Sequence, residues 1–166
     1  MSIEHEYFGL VDSDGAGGLY WSDVVELGDQ SVSVDLTAHD EDEVDPYALD
    51  AAAAILRSLE PLDARARDAL VAELSERQSA TSNYVDRNIE ELGDSLIELL
   101  VDTSGDLAID ILKSILLMRV AIQLEHTGGE EAFAVFDYSI NPESSDEVLV
   151  VSFDDRGDVV EVDTTS

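Results

Sequence analysis

Val32, Val34, Leu36 and Ala38 alternate with Ser31, Ser33, Asp35 and Thr37, a period of two that puts apolar side chains on one face and small polar ones on the other. That pattern predicts a half-buried strand of an antiparallel sheet that is wet on one side. Strand-like runs precede it at Tyr7 to Val11 and Leu19 to Leu27, divided by the turn-rich Asp12 to Gly18 and by Gly28-Asp29-Gln30. From Asp45 the period changes. Asp45-Pro46 reads as an N-cap followed by proline at the first helical position, and Leu49, Ala52, Ala53, Leu56 and Leu59 recur at helical spacing until Pro61 interrupts them. Asp63 then caps a second helix bearing Ala66, Leu70 and Leu74. A third helix runs from about Tyr84 to Val101 on the stripe Val85, Ile89, Leu92, Leu96 and Leu99, and Thr103-Ser104-Gly105 ends it. Asp106 to Ser114 makes a short fourth. The period returns to two near Ser114 to Leu116, predicting strands at Leu116 to Glu125, Glu131 to Ile140, Glu147 to Phe153 and Val159 to Val162, with Gly, Asn, Pro and Asp turns between them.

Strands within 7–38, helices within 46–114 and strands within 116–162 define one α+β domain over residues 1–166. Neither strand-rich end has the apolar surface for a core of its own. The expected architecture is therefore a two-layer one: a mainly antiparallel sheet drawn from both chain ends, with the helical middle packed on one face.

The segment Ala134-Val135-Phe136-Asp137-Tyr138-Ser139, then Leu149-Val150-Val151-Ser152-Phe153-Asp154 and a turn into the last strand, resembles a bacterial domain-of-unknown-function family of small acidic proteins. The Val24 to Leu36 hairpin and the Asp45 to Leu74 helices are similar to it as well. The resemblance implies an α+β fold. It carries over no site residue.

Charge adds the next constraint. The chain has 39 acidic side chains against seven arginines and Lys113, for a net charge of −31. Residues 1–45 hold 13 acids and no base, 46–113 hold 14 acids and six bases, and 114–166 hold 12 acids and two bases. Such a field repels nucleic-acid phosphates and anionic membrane surfaces and favours cationic partners. The longest apolar stretch, Ile109 to Leu124, is interrupted by Asp110, Lys113 and Arg119, so no segment reads as a bilayer span. Met1 to Tyr7 carries two glutamates and no base, the wrong chemistry for a secretory signal, and a cytoplasmic location is expected. The absence of cysteine excludes disulfides, thiolate metal sites and a cysteine nucleophile.

Catalytic motifs do not emerge. His5, His39 and His126 stand far apart in sequence without metal-ligand spacing, and there is no nucleophile elbow, phosphate loop or dinucleotide fingerprint. Asp12-Ser13-Asp14-Gly15 has its glycine too early for an EF-hand and reads as a turn. No catalytic residue, cofactor or metal is expected. The reading is a non-enzymatic accessory or inhibitory protein that binds a basic protein partner, in the manner of toxin-neutralising immunity proteins. The expected dock is the acidic loop Asp40, Glu41, Asp42, Glu43 and Asp45, with Asp35 from the wet face and Trp21 as an aromatic anchor. Trp21 has core packing as its other reading, because Tyr20 and Trp21 are neighbours in a strand and only one can face inward. Two further readings stand beside this one. The first is a carboxylate- or metal-dependent hydrolase using His39, and the second an acid-adapted housekeeping domain without a cationic partner.

The charge carries a direct test. Mutual repulsion destabilises the compact state, and salt relieves it as the Debye length shrinks from about 30 Å at 0.01 M to about 3 Å at 1 M. The melting temperature is expected to rise with KCl across that range, and a flat dependence would show the charges to be already well dispersed.

Overall fold

The computed structural model describes residues 3–13, 17–28, 30–44, 47–100, 106–127, 132–140 and 147–165. Among them the strands are β1 (Ile3–His5), β2 (Gly9–Ser13), β3 (Leu19–Leu27), β4 (Gln30–Ala38), β5 (Leu116–Gln123), β6 (Ala134–Ser139), β7 (Val148–Phe153) and β8 (Val159–Thr165). Five helices fall between β4 and β5: α1 (Ala48–Arg57), α2 (Leu59–Glu73), α3 (Ala80–Leu92), α4 (Ser95–Leu99) and α5 (Leu107–Ser114). The strands form one eight-stranded sheet in chain order. Every neighbouring pair is antiparallel except β4 and β5, which run parallel from Ser33 opposite Arg119 to Thr37 opposite Gln123. The two chain ends thus share one sheet, and the fold is the expected α+β arrangement.

Local chemistry explains where the elements depart from the periodicity. Tyr7 and Phe8 lie in a turn rather than a strand, because Gly9 adopts φ 68° and lets the chain reverse between β1 and β2. Asp45 and Pro46 lie outside the described residues, and α1 is preceded by Tyr47, which makes no side-chain cap. The break after α1 falls at Ser58, so Pro61 stands in the first turn of α2, where its missing N–H has no intrahelical partner to lose. Pro61 therefore helps to start a helix instead of ending one, and Asp63 is an interior residue of α2 rather than its cap. The predicted third helix is two helices. Ser79 caps α3 by accepting from the Ser82 N–H at 3.1 Å, five residues before the expected start. Gly93, at φ 51°, then breaks the stripe before α4. Leu96 is buried, whereas Ile89 and Leu92 are only half-buried, because the break turns the two parts of the stripe out of line. Val101 and Thr103 to Gly105 lie outside the described residues. The short fourth helix expected from Asp106 is α5, capped by Asp106, whose carboxylate accepts from the Ile109 N–H.

The helices cover one face of the sheet. On that face Val34 and Leu36 of β4, Val120 and Ile122 of β5, Phe136 and Tyr138 of β6, and Val151 and Phe153 of β7 are fully or almost fully buried. Ala52, Ala53, Ala66 and Leu70 of the first two helices join the same core. Each large apolar side chain so buried contributes about 1.5–3 kcal/mol. Polar contacts fix the layer's position. The Tyr138 hydroxyl donates to Asp63 at 2.6 Å, Asp63 pairs with Arg67 one turn later, and Arg67 donates to the Leu112 carbonyl at 3.1 Å while lying over the Tyr138 ring. This network ties α2 to β6 and to the end of α5. Burial, with the Asp63 charge and hydrogen bond added to it, pushes the Tyr138 pKa far up, so the phenol remains a donor. On α3 the Tyr84 hydroxyl accepts from the Ile140 N–H at 2.9 Å.

Tyr138→Phe keeps the ring and removes the donor to a carboxylate. It is expected to lower the unfolding free energy by about 1.5–3 kcal/mol in urea titrations. Tyr20→Phe, on a ring that is 48% exposed, should leave it unchanged.

Candidate docking surface on the open sheet face

The same alternation that buries one face of the sheet leaves the other without a helix among the described residues. Register places Tyr20, Ser22, Val24 and Glu26 of β3 on that open face beside Ser31, Ser33, Asp35 and Thr37 of β4. It continues through Arg119, Ala121 and Gln123 of β5, Val135 and Asp137 of β6, Val150 of β7, and Glu161 and Asp163 of β8. Val24, Ser31, Ser33, Arg119, Glu161 and Asp163 are exposed, while Ala121, Val135 and Val150 form a half-buried apolar floor. Five carboxylates (Glu26, Asp35, Asp137, Glu161 and Asp163) face a single guanidinium among the described residues.

Arg119 occupies the middle of this face. Its Nε donates to Asp35 Oδ2 at 2.7 Å, and Asp137 stands opposite it on the neighbouring strand. Burial pushes the Asp137 pKa up, and the Arg119 charge offsets only part of that. A half-buried carboxylate that shares its one counter-ion with Asp35 can accept a further cation. Asp137 was not singled out by sequence reasoning as a site residue. Its signal was its place between the buried Phe136 and Tyr138, which by alternation sends it to the opposite face.

The acidic loop leaves the end of β4. Glu41–Glu43 form one turn of 3-10 helix, and Asp40 Oδ1 accepts from the Asp42 N–H at 2.9 Å. The side chains of Asp40, Asp42 and Glu43 are exposed. Glu125, just past β5, accepts from the His39 N–H and adds another carboxylate to this end of the sheet. Asp45 lies outside the described residues. Trp21 is elsewhere: it stands opposite Leu36 and so points to the helix-covered side, with its indole N–H donating to the Phe8 carbonyl at 3.0 Å and its ring edge-on to Phe8. Of the two aromatic neighbours, Tyr20 faces outward. The structure therefore joins Asp35 with Arg119 and Asp137 on one face, sets the acidic loop at the sheet's end, and leaves Trp21 on the other side.

Other candidate chemistry is dispersed. His5 pairs with Asp50 at 2.7 Å and His126 meets the Ala132 carbonyl, in separate parts of the molecule. No three His, Asp or Glu side chains come together to hold a metal among the described residues. A groove of about 790 Å³ between α2, α3 and α5 has an apolar floor including Val71, Leu74 and Val85, and a rim of Arg77, Asp86 and Asp106. At the turn between β7 and β8, Asp154 is buried yet accepts from the N–H groups of Arg156 and Asp158 at 2.9 and 3.0 Å. Burial alone would raise its pKa, but these donors and the Arg156 charge outweigh that and hold it below the ordinary carboxylate value.

No helix among the described residues is long and apolar enough to cross a membrane. No protein family, curated protein or solved structure matches the chain.

The two aspartates give opposite expectations. With its pKa raised, Asp137 is less comfortable ionised in the folded state than in the unfolded one, so Asp137→Asn should leave stability at pH 7 unchanged or higher. Asp154, with its pKa lowered, contributes stability that is present above the unfolded value of about 3.9 and is lost as pH falls through the folded one. Asp154→Asn should melt below wild type at pH 7, with the gap closing in acid. Thermal melts between about pH 7 and pH 3 read both effects.

Proposed function

We propose that this chain is a non-enzymatic accessory or inhibitory protein that docks a basic protein partner, in the manner of toxin-neutralising immunity proteins. The observation that carries the reading is the uncovered sheet face, which among the described residues carries five carboxylates and one guanidinium beside an apolar floor. An apolar floor with a charged surround is the usual anatomy of a protein interface, and a one-signed field accelerates encounter with an oppositely charged partner more than it deepens affinity. The acidic loop at the end of β4 extends that field beyond the face.

The loop is tested by changing Asp40 and Asp42 to Asn together with Glu41 and Glu43 to Gln, which keeps shape and removes charge. Association with a basic protein captured from cell extract is expected to slow about tenfold at low ionic strength, with little change in melting temperature. Wild-type association rates in that variant would remove the loop from the dock. Capture of neutral or acidic proteins alone would overturn the reading itself.

A further inference from the structure

β8 closes one margin of the sheet and pairs with β7 alone, and on its outer side the Thr164 N–H is taken by Asp163 Oδ1 at 2.8 Å. The other margin is formed by β1, three residues long, and by Trp21–Leu27 of β3, which lie beyond the two residues that pair with β2, while β8 has seven residues, about 23 Å of extended chain. Free edges of this length are normally blunted by lysine, proline or a covering segment. Val159 to Thr165 contains no lysine, arginine or proline, and the one irregularity in its pairing lies at its start, between Ser152 and Phe153. Val159 and Val160 are exposed.

The charges on β8 decide what can join it. Glu161 stands opposite Ser152 and Asp163 opposite Val150, so both carboxylates project on the open face and both are exposed. A second copy fits poorly. Two identical strands paired antiparallel about a two-fold axis must match residues of equal parity, since directly opposed side chains share a face. Centring such a pair on Val162 sets Glu161 against Asp163, centring it on Glu161 or Asp163 sets a carboxylate against its own copy, and directly opposed like charges are destabilising.

We propose that β8 is an acceptor edge for an extended, basic segment of a partner protein, which joins by strand addition with Lys or Arg at alternate positions. This rests on the proposed docking of a basic protein and adds where and how the partner engages. Main-chain hydrogen bonds, with the Thr164 N–H passing from Asp163 Oδ1 to the added strand, would extend the ladder past β8, and alternate basic side chains would fall on the open face directly across from Glu161 and Asp163. A strand of neutral residues would gain the ladder without the charge pairs, and an acidic one would be repelled.

The probe is a synthetic peptide of about nine residues alternating Lys with Val or Thr, the span of one added strand. Its control has the same sequence with alternate backbone nitrogens methylated, which keeps charge and removes ladder donors. Affinity is read by calorimetry and position by amide hydrogen exchange. The unmethylated peptide is expected to bind with protection confined to Val159–Thr165, to lose about tenfold in affinity to the E161Q/D163N variant, and to lose at least as much on methylation. Equal binding of both peptides with changes on Asp35, Asp137 or the acidic loop would overturn strand addition and leave basic docking standing. Binding of neither peptide at about 0.02 M KCl, where screening is weakest, would overturn both. A dimer formed through β8 at rising protein concentration would overturn the basic partner at this edge.

Discussion

The parallel pairing of β4 with β5 joins two antiparallel meanders, one from each end of the chain, and the rest of the architecture follows from it. A parallel pair cannot be closed by a tight turn, so the chain must cross over between Ala38 and Leu116, and all five described helices lie in that one connection. Such a crossover returns over one face. The ladder is non-local and carries the entropic cost of closing a long loop. What offsets that cost is visible in its register: Val34 beside Val120 and Leu36 beside Ile122 are all buried almost completely, in the middle of the sheet.

Polar contacts then decide how the helical layer sits. Asp63, Arg67 and Tyr138 bind α2 to the sheet through charged hydrogen bonds, and Tyr84 does the same for α3 through the Ile140 backbone. These groups repeat a wider use of the few cations in the chain. Arg57 lies over the Tyr7 ring, Arg65 donates to the Gly157 carbonyl, Arg87 pairs with Glu147 on the approach to β7, and Arg156 closes the turn around Asp154. Most of the arginines are spent on contacts that fasten one part of the fold to another, largely from exposed positions. The acidic excess is left to the sheet's open face, its ends and the exposed sides of the helices.

That division gives the open face its character. Arg119 is held between Asp35 and Asp137 and neutralises only part of their charge, while Ala121, Val135 and Val150 supply a shallow apolar floor beside it. The exposed aromatic ring on this face is Tyr20. Trp21 lies beneath the β1–β2 turn with its indole N–H satisfied, and its role is to fasten that turn to the sheet margin.

Much of this was legible in the chain itself, because periodicity is a local property. Alternation from Ser31 to Ala38 marked β4 and its buried side, and the boundary between α5 and β5 fell where the period changed. Local reading failed where a residue's meaning came from a distant partner or from a single backbone angle. Pro61 and Asp63 looked like the end of one helix and the cap of the next, but Asp63 faces Tyr138, and Gly93 divided a stripe that had looked continuous. The acidic loop was evident from composition. Asp137 was not, because its neighbours along the chain are apolar, and the Arg119 and Asp35 that give it a site are brought beside it by strand register. The chain by itself determined which residues alternate, which repeat at helical spacing, and how far the charge is one-sided. Tertiary structure alone decided which faces meet and which stays open, because strand order and register are set by buried contacts between residues far apart in sequence.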